Sequence, residues 1–133
     1  MNSDFRSIQG GSGKMEMELK KYDIVVADFG DEKFAGEQAG IRPCIVIQNN
    51  SGNRFSCTTI VIALTTKIKK LNQPTHALLI PDEDNCLKEE SMILGECIRQ
   101  ISKSRIIGYI GSVKNEKDKR EIKRVYNANF GED

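Results

Sequence analysis

Gly40-Ile41-Arg42-Pro43-Cys44-Ile45-Val46-Ile47-Gln48, then Asn49-Asn50-Ser51-Gly52-Asn53-Arg54-Phe55-Ser56, then Thr58-Thr59-Ile60-Val61-Ile62-Ala63-Leu64-Thr65, is the stretch on which the fold turns. Two short apolar runs rich in β-branched residues read as strands. The segment between them, dense in Asn, Ser and Gly, carries strong turn chemistry. Arg42 stands at the mouth of the first strand and Thr65 ends the second. A guanidinium and a hydroxyl at the ends of adjacent strands make a small anion-binding site without metal, histidine or cysteine.

The pattern continues on both sides. Asp23–Phe29, His76–Ile80 (entered after Pro74), Ser91–Ile101 and Ile106–Val113 each read as a strand, the last with Gly108 and Gly111 marking a bend or bulge. The period then changes. Between Glu116 and Phe130, Ile122, Val125, Tyr126 and Phe130 fall at helical spacing, and Glu116 with Arg120 and Glu121 with Arg124 are favourable pairs on the exposed side. Short strands followed by one amphipathic helix predict a mainly β fold, a small barrel or strongly bent sheet with helical additions. A chain of 133 residues suits one domain. Residues 1–14 read as a flexible, linker-like segment ending in Gly10-Gly11-Ser12-Gly13-Lys14, with the folded domain over 15–133. Gly13-Lys14 is not the end of a phosphate-binding loop, because Ile8 stands where its first glycine belongs and Met15 where Ser or Thr is needed.

Composition excludes several classes. With 20 basic and 19 acidic residues, net charge names no partner, but Lys67-Ile68-Lys69-Lys70 and Lys103–Arg105 are local basic clusters suited to a polyanion. No run is apolar and long enough to span a bilayer, and the start lacks a basic segment followed by a hydrophobic one. Cys44, Cys57, Cys86 and Cys97 form no C-x-x-C pair and His76 is the one histidine, so neither a zinc site nor a hydrolase triad is predicted. Free thiols in a reducing cytoplasm are the expectation.

Six ordered blocks resemble the MazF/PemK toxins of bacterial toxin–antitoxin systems: Asp23-Ile-Val-Val-Ala-Asp-Phe, Gly36-Glu-Gln-Ala-Gly-Ile-Arg-Pro with Val46-Ile-Gln-Asn, Gly52-Asn-Arg-Phe-Ser, Ile60-Val-Ile-Ala-Leu-Thr-Thr, Pro74-Thr-His, and Glu96-Cys-Ile-Arg-Gln-Ile-Ser-Lys-Ser-Arg. They cover roughly residues 20–128. The resemblance implies an SH3-like β-barrel with short helices and a C-terminal amphipathic helix, the fold of the MazF, CcdB and Kid toxins, assembled as a homodimer. It implies cleavage of single-stranded RNA at a short sequence with no cofactor and no metal, and inhibition by a MazE-like antitoxin whose disordered tail folds over the RNA groove. By position the catalytic residues fall on Arg42 and Thr65. Glu37, Gln38, Asn53, Ser91 and Glu96 fall in regions that line the RNA groove of relatives. Ala39 stands where a second glycine is frequent and Cys97 where a glutamine is frequent. Base preference, which the groove residues set, does not transfer.

The residue types suit that chemistry. RNA brings its own nucleophile, the 2′-hydroxyl, so the enzyme must align it and stabilise the added charge on phosphorus. Arg42 offers a planar fork of donors matched to phosphate oxygens, and Thr65 a hydroxyl. Arginine is a poor base, which leaves Glu37 or Glu96 to accept the 2′-proton, or to read a base instead. Lys67, Lys69 and Lys70 suit phosphates as positioning groups. With no Trp, three Tyr and five Phe, base selection falls to hydrogen bonds from polar loops. Three alternatives stay open: a gyrase-inhibiting toxin of the same fold acting by protein binding, an idle barrel that only binds its antitoxin, and plain surface or strand-end roles for Arg42 and Thr65.

Overall fold

The computed structural model describes residues 18–31 and 39–131. The groove candidates Glu37 and Gln38, and the predicted linker over 1–14, lie outside the described residues. Six strands and two α-helices are present: β1 Asp23–Asp28, β2 Ile41–Val46, α1 Asn50–Phe55, β3 Thr58–Thr65, β4 His76–Leu79, β5 Ser91–Ser102, β6 Ile106–Ser112 and α2 Glu116–Ala128. A short 3-10 turn, Lys103–Arg105, joins β5 to β6. Every pairing is antiparallel, in the order β4-β5-β3-β2-β1-β6.

The mainly β class with a C-terminal helix is the one the sequence predicts. The sheet curls, but β4 and β6 remain its two ends. A loop draws those ends together, for the Ser112 N–H donates to the Asp84 carbonyl at 2.9 Å. The segment read as a turn at Asn50–Asn53 is instead the start of α1. The Asn49 side chain accepts the Gly52 N–H at 2.8 Å, an N-cap that makes six residues helical.

Strand alternation sorts the apolar residues onto two faces. On one, Ile24, Ile45, Ile62, Leu64, Ala77, Leu79 and Ile93 pack with Ile122 and Val125 of α2. The other carries Val25, Ala27, Phe29, Cys44, Val46 and Val61, with Ala63, Met92 and Leu94 beside them. Both sets are buried, and each fully buried aliphatic side chain contributes about 1.5–3 kcal/mol. Helix α2 begins at Asn115, whose side chain accepts from the Lys117 and Asp118 N–H groups, and Glu116 and Asp118 add negative charge to its first turn.

Candidate active site

Arg42 is the second residue of β2 and Thr65 the last of β3. The β2–β3 ladder pairs Val46 with Val61, Ile45 with Ile62 and Cys44 with Ala63. It begins one residue past Pro43, which has no N–H to contribute. The same register carried two residues further sets Arg42 across from Thr65, and residues opposite each other in an antiparallel pair share a face. The two candidate catalytic residues therefore flank the open end of one hairpin.

Local structure fixes each of them. The loop before Arg42 is pinched at its base: the Phe29 N–H donates to the Gly40 carbonyl at 2.9 Å and the Gly40 N–H to the Gly30 carbonyl at 2.7 Å. Gly30 and Gly40 have φ of 91° and 77°, a region where a side chain would be strained. Arg42 Nε donates to the Ala39 carbonyl at 2.9 Å, leaving the guanidinium's other nitrogens without a partner among the described residues. Thr65 Oγ1 accepts the Lys67 N–H at 3.1 Å. Its own O–H remains available as a donor. Lys67, Lys69 and Lys70 follow on an exposed loop.

The sheet register enlarges the site. One row runs His76, Leu94, Ala63, Cys44, and the next runs Leu78, Met92, Thr65 towards Arg42. His76 thus shares the face of Arg42 and Thr65. In β5 the pairing with β3 jumps from Leu94–Ala63 to Ile98–Ile62, so Gly95, Glu96 and Cys97 bulge out of the ladder. Gly95 permits this because a Cβ there would lie 2.4 Å from the Thr75 carbonyl. Glu96 Oε2 meets His76 Nε2 at 3.0 Å. Burial opposes the Glu96 charge, but the hydrogen bond with His76 leads the contacts that hold its carboxyl below the usual range.

Asn53 and Ser91 are placed elsewhere. Asn53 is buried in α1, at the opposite end of the β2–β3 hairpin from Arg42. Its amide donates to the Gln48 carbonyl at 2.9 Å and its oxygen accepts from Thr59 Oγ1 at 2.7 Å and Gln48 Nε2 at 3.1 Å. Ser91 is buried, pairs with Leu79 on the α2 side of the sheet, and donates to the Glu89 carbonyl at 3.1 Å.

Sequence reasoning missed Arg99, and read Arg105 only as part of the basic cluster Lys103–Arg105. The Arg99 guanidinium stacks 5.0 Å from the Phe29 ring centroid, and Arg105 Nη1 donates to the Asp28 carbonyl at 3.0 Å. Both converge on the end of β1 that leads to the Gly30–Gly40 pinch, adding positive charge beside Arg42. No sequence spacing signals this, because the β1–β6 pairing of Ala27 with Ile106 is what carries Arg105, and the end of β5 before it, to the end of β1. Phe29 is buried core, whereas Phe55 is 80% exposed and far along the hairpin at α1. Among the described residues no group of three or more His, Cys, Asp or Glu is placed to hold a metal ion.

Comparison with known proteins gives the family and the fold. Residues 20–127 match the family described as PemK-like, MazF-like toxin of type II toxin–antitoxin system. The chain is 41% identical over 100 residues to Endoribonuclease EndoA of Bacillus subtilis (strain 168), covering 75% of this chain and 84% of that one. It is 36% identical over 110 residues to Endoribonuclease MazF of Staphylococcus saprophyticus, covering 83% of this chain and 87% of the relative. In fold it is similar to a crystal structure of MazF from Deinococcus radiodurans, with TM-score 0.72 and 18% identity over 88% of this chain and all of that one. A mycobacterial endoribonuclease solved in complex with its cognate antitoxin has TM-score 0.68 and 19% identity, over 85% of this chain and 95% of that one. With a family match over most of its length and relatives above one-third identity, the chain belongs to the PemK-like, MazF-like toxins of type II toxin–antitoxin systems.

Proposed function

We propose that this protein is the toxin of a toxin–antitoxin pair and acts as an endoribonuclease on single-stranded RNA, with Arg42 and Thr65 as its catalytic residues. The observation that supports the reading is the β2–β3 register, which, extended two residues past Cys44–Ala63, brings Arg42 and Thr65 to the open end of the hairpin. The names of the relatives support the activity.

In the proposed reaction the 2′-oxygen forms a bond to phosphorus while the bond from phosphorus to the 5′-oxygen breaks. The 2′-proton goes to a base, and a proton is delivered to the departing 5′-oxygen. The products are a 2′,3′-cyclic phosphate, or the 3′-phosphate from its hydrolysis, and a 5′-hydroxyl. Arg42 stabilises the charge that builds on the phosphorane oxygens, and the Thr65 hydroxyl donates to a non-bridging oxygen. Arg99 and Arg105 extend the positive surface along which the backbone is held. Pairing with His76 makes Glu96 a weaker base than an ordinary carboxylate, so hydrogen bonding to RNA suits it better than proton abstraction. A cytoplasmic location belongs to the same proposal; no helix among the described residues is long and apolar enough to cross a membrane. A homodimer and a MazE-like antitoxin complete the proposed assembly, supported by the antitoxin complexes among the structural neighbours.

The test is a long, mixed-sequence single-stranded RNA incubated with chelator and either wild type or Arg42→Ala. Discrete cuts with 5′-hydroxyl ends, blocked by a 2′-deoxy sugar just 5′ of the cut, are expected from the wild type alone. No cutting by the folded wild type on an RNA covering all short motifs would sink the nuclease and favour a toxin that binds protein, such as gyrase.

A further inference from the structure

His76 has two acceptors and no free nitrogen. Nδ1 lies 2.9 Å from the Lys70 carbonyl oxygen, which cannot donate, so Nδ1 carries a hydrogen. Nε2 lies 3.0 Å from Glu96 Oε2, and a carboxylate there also needs a donor. Both conditions are met by an imidazolium. Burial works against that charge, but the bonds to Glu96 and Lys70 outweigh it and raise the His76 pKa.

The position of Lys70 gives this clamp a purpose. Lys70 has a φ of 52°, and its carbonyl also accepts the Gln73 N–H at 3.0 Å. One oxygen thus closes the turn and receives the histidine. The loop 66–75 starts at the residue after Thr65, and its near end is tied by the Lys67 N–H to Thr65 Oγ1. The exposed lysines Lys67, Lys69 and Lys70 lie in the loop between Thr65 and His76, the two residues that share the sheet face of Arg42.

We propose that His76, as an imidazolium, is a positioning residue: by joining the Lys70 carbonyl to the Glu96 carboxylate it sets the loop 66–75 so that its lysines meet the RNA phosphates flanking the cleaved bond. The proposal rests on the endoribonuclease reading. When His76 loses its proton, the charge-assisted Nε2–H bond to the Glu96 carboxylate is the one kept, and Nδ1 turns a lone pair towards the Lys70 carbonyl. The tie to Lys70 then opens and the loop loosens, which weakens ground-state binding of RNA. The other groups around His76 are Glu96 and Cys97 on β5, Lys69 and Lys70 on the loop, and Arg124 and Glu121 on α2. Arg124 Nη2 donates to the His76 carbonyl at 3.1 Å and pairs with Glu121 at 2.8 Å. The hydrogen bond between them raises the pKa of Arg124 and lowers that of Glu121, while burial and then the Glu96 charge push the Cys97 thiol up, so all three keep their charge state around neutrality.

The experiment reads kcat and KM on an RNA with a single cleavage site from about pH 6 to about pH 9, beside NMR of the imidazole nitrogens. His76 is the one histidine in the chain, so its resonances need no assignment by mutation. KM is expected to rise about five- to tenfold as His76 titrates, and the neutral ring to be the Nε2–H tautomer. His76→Gln, which can donate to Glu96 but not also to Lys70, is expected to show the raised KM at every pH. A wild-type KM that stays flat while His76 titrates, or a neutral ring protonated on Nδ1, overturns the proposal with the nuclease intact. Should His76→Gln fail to fold, the wild-type profile and the NMR still decide. Wild type that cuts no RNA at any pH removes the endoribonuclease reading itself, and this role with it.

Discussion

The two faces of the sheet are made by the same strands and do different things. On the α2 face Ile45, Leu64, Ala77 and Ile93 pack against Ile122 and Val125 in an apolar layer. On the other, the neighbours of those residues, Cys44, Thr65 and His76, lie in the two rows that lead to Arg42. One step along the chain separates a residue whose energy is burial from one whose value is chemistry, because alternate side chains in a strand point to opposite faces. The contrast implies that stability and activity can be damaged separately.

The largest expected effect is on the polar face. Arg42→Ala should lower kcat for RNA cleavage about 10²- to 10³-fold, the cost of losing a donor to developing charge. Its melting temperature should stay close to wild type, because among the described residues the Arg42 side chain makes a single hydrogen bond. A folded Arg42→Ala protein that cuts at the normal rate would erase the distinction between the faces. On the α2 face, Ile122→Ala should cost about 2–5 kcal/mol of stability through lost burial and a residual cavity. Denaturant unfolding and kcat, measured on the same preparation, should show the first falling and the second held. A parallel drop in both would mean that α2 shapes the site as well as the core.

Much of this division was legible in the sequence, for a physical reason. Runs such as Ile60-Val61-Ile62-Ala63-Leu64-Thr65 carry their β-branched character locally, and β3 begins and ends where the composition says. Ile122 and Val125 announce a helix face in the same way. Helix α1 was hidden because Asn50, Ser51, Gly52 and Asn53 are poor helix formers, and only the Asn49 cap and the buried Asn53 amide make the turn helical. The His76–Glu96 contact was hidden differently. Twenty residues separate the pair, and only the β4–β5 register with the bulge at Gly95 brings them together. Ser91 shows the limit of placing residues by resemblance: the position is matched, but the register turns its side chain to the packed face.

Asn53 sharpens the comparison from the hairpin's other end. Its three internal hydrogen bonds make it a fastener between α1, the end of β2 and β3. Asn53→Ala leaves the Gln48 carbonyl and the Thr59 hydroxyl short of partners in a buried setting, at a cost of about 1–3 kcal/mol. Thermal unfolding would register it. Unchanged stability together with a raised KM for RNA would return Asn53 to the groove.

The smallest effect distinguishes the His76–Glu96 ion pair on the face of Arg42 from the apolar packing behind it. His76, raised above its ordinary 6.5, contributes stability that is full below that value and lost as pH rises through its folded pKa. Glu96, lowered from 4.5, contributes stability that is full above that value and lost as pH falls through its folded pKa. The pair therefore stabilises most between pH 4.5 and 6.5 and fades on the alkaline side. The Glu96 side chain is 49% exposed, so solvent screening keeps the gain below that of any core residue discussed above. Melting temperatures of wild type and Glu96→Gln should differ at about pH 5.5 and draw together by about pH 8.5. A gap of constant size would mean that Glu96 holds His76 as a neutral hydrogen-bond partner, and that the two faces differ in packing but not in their response to protons.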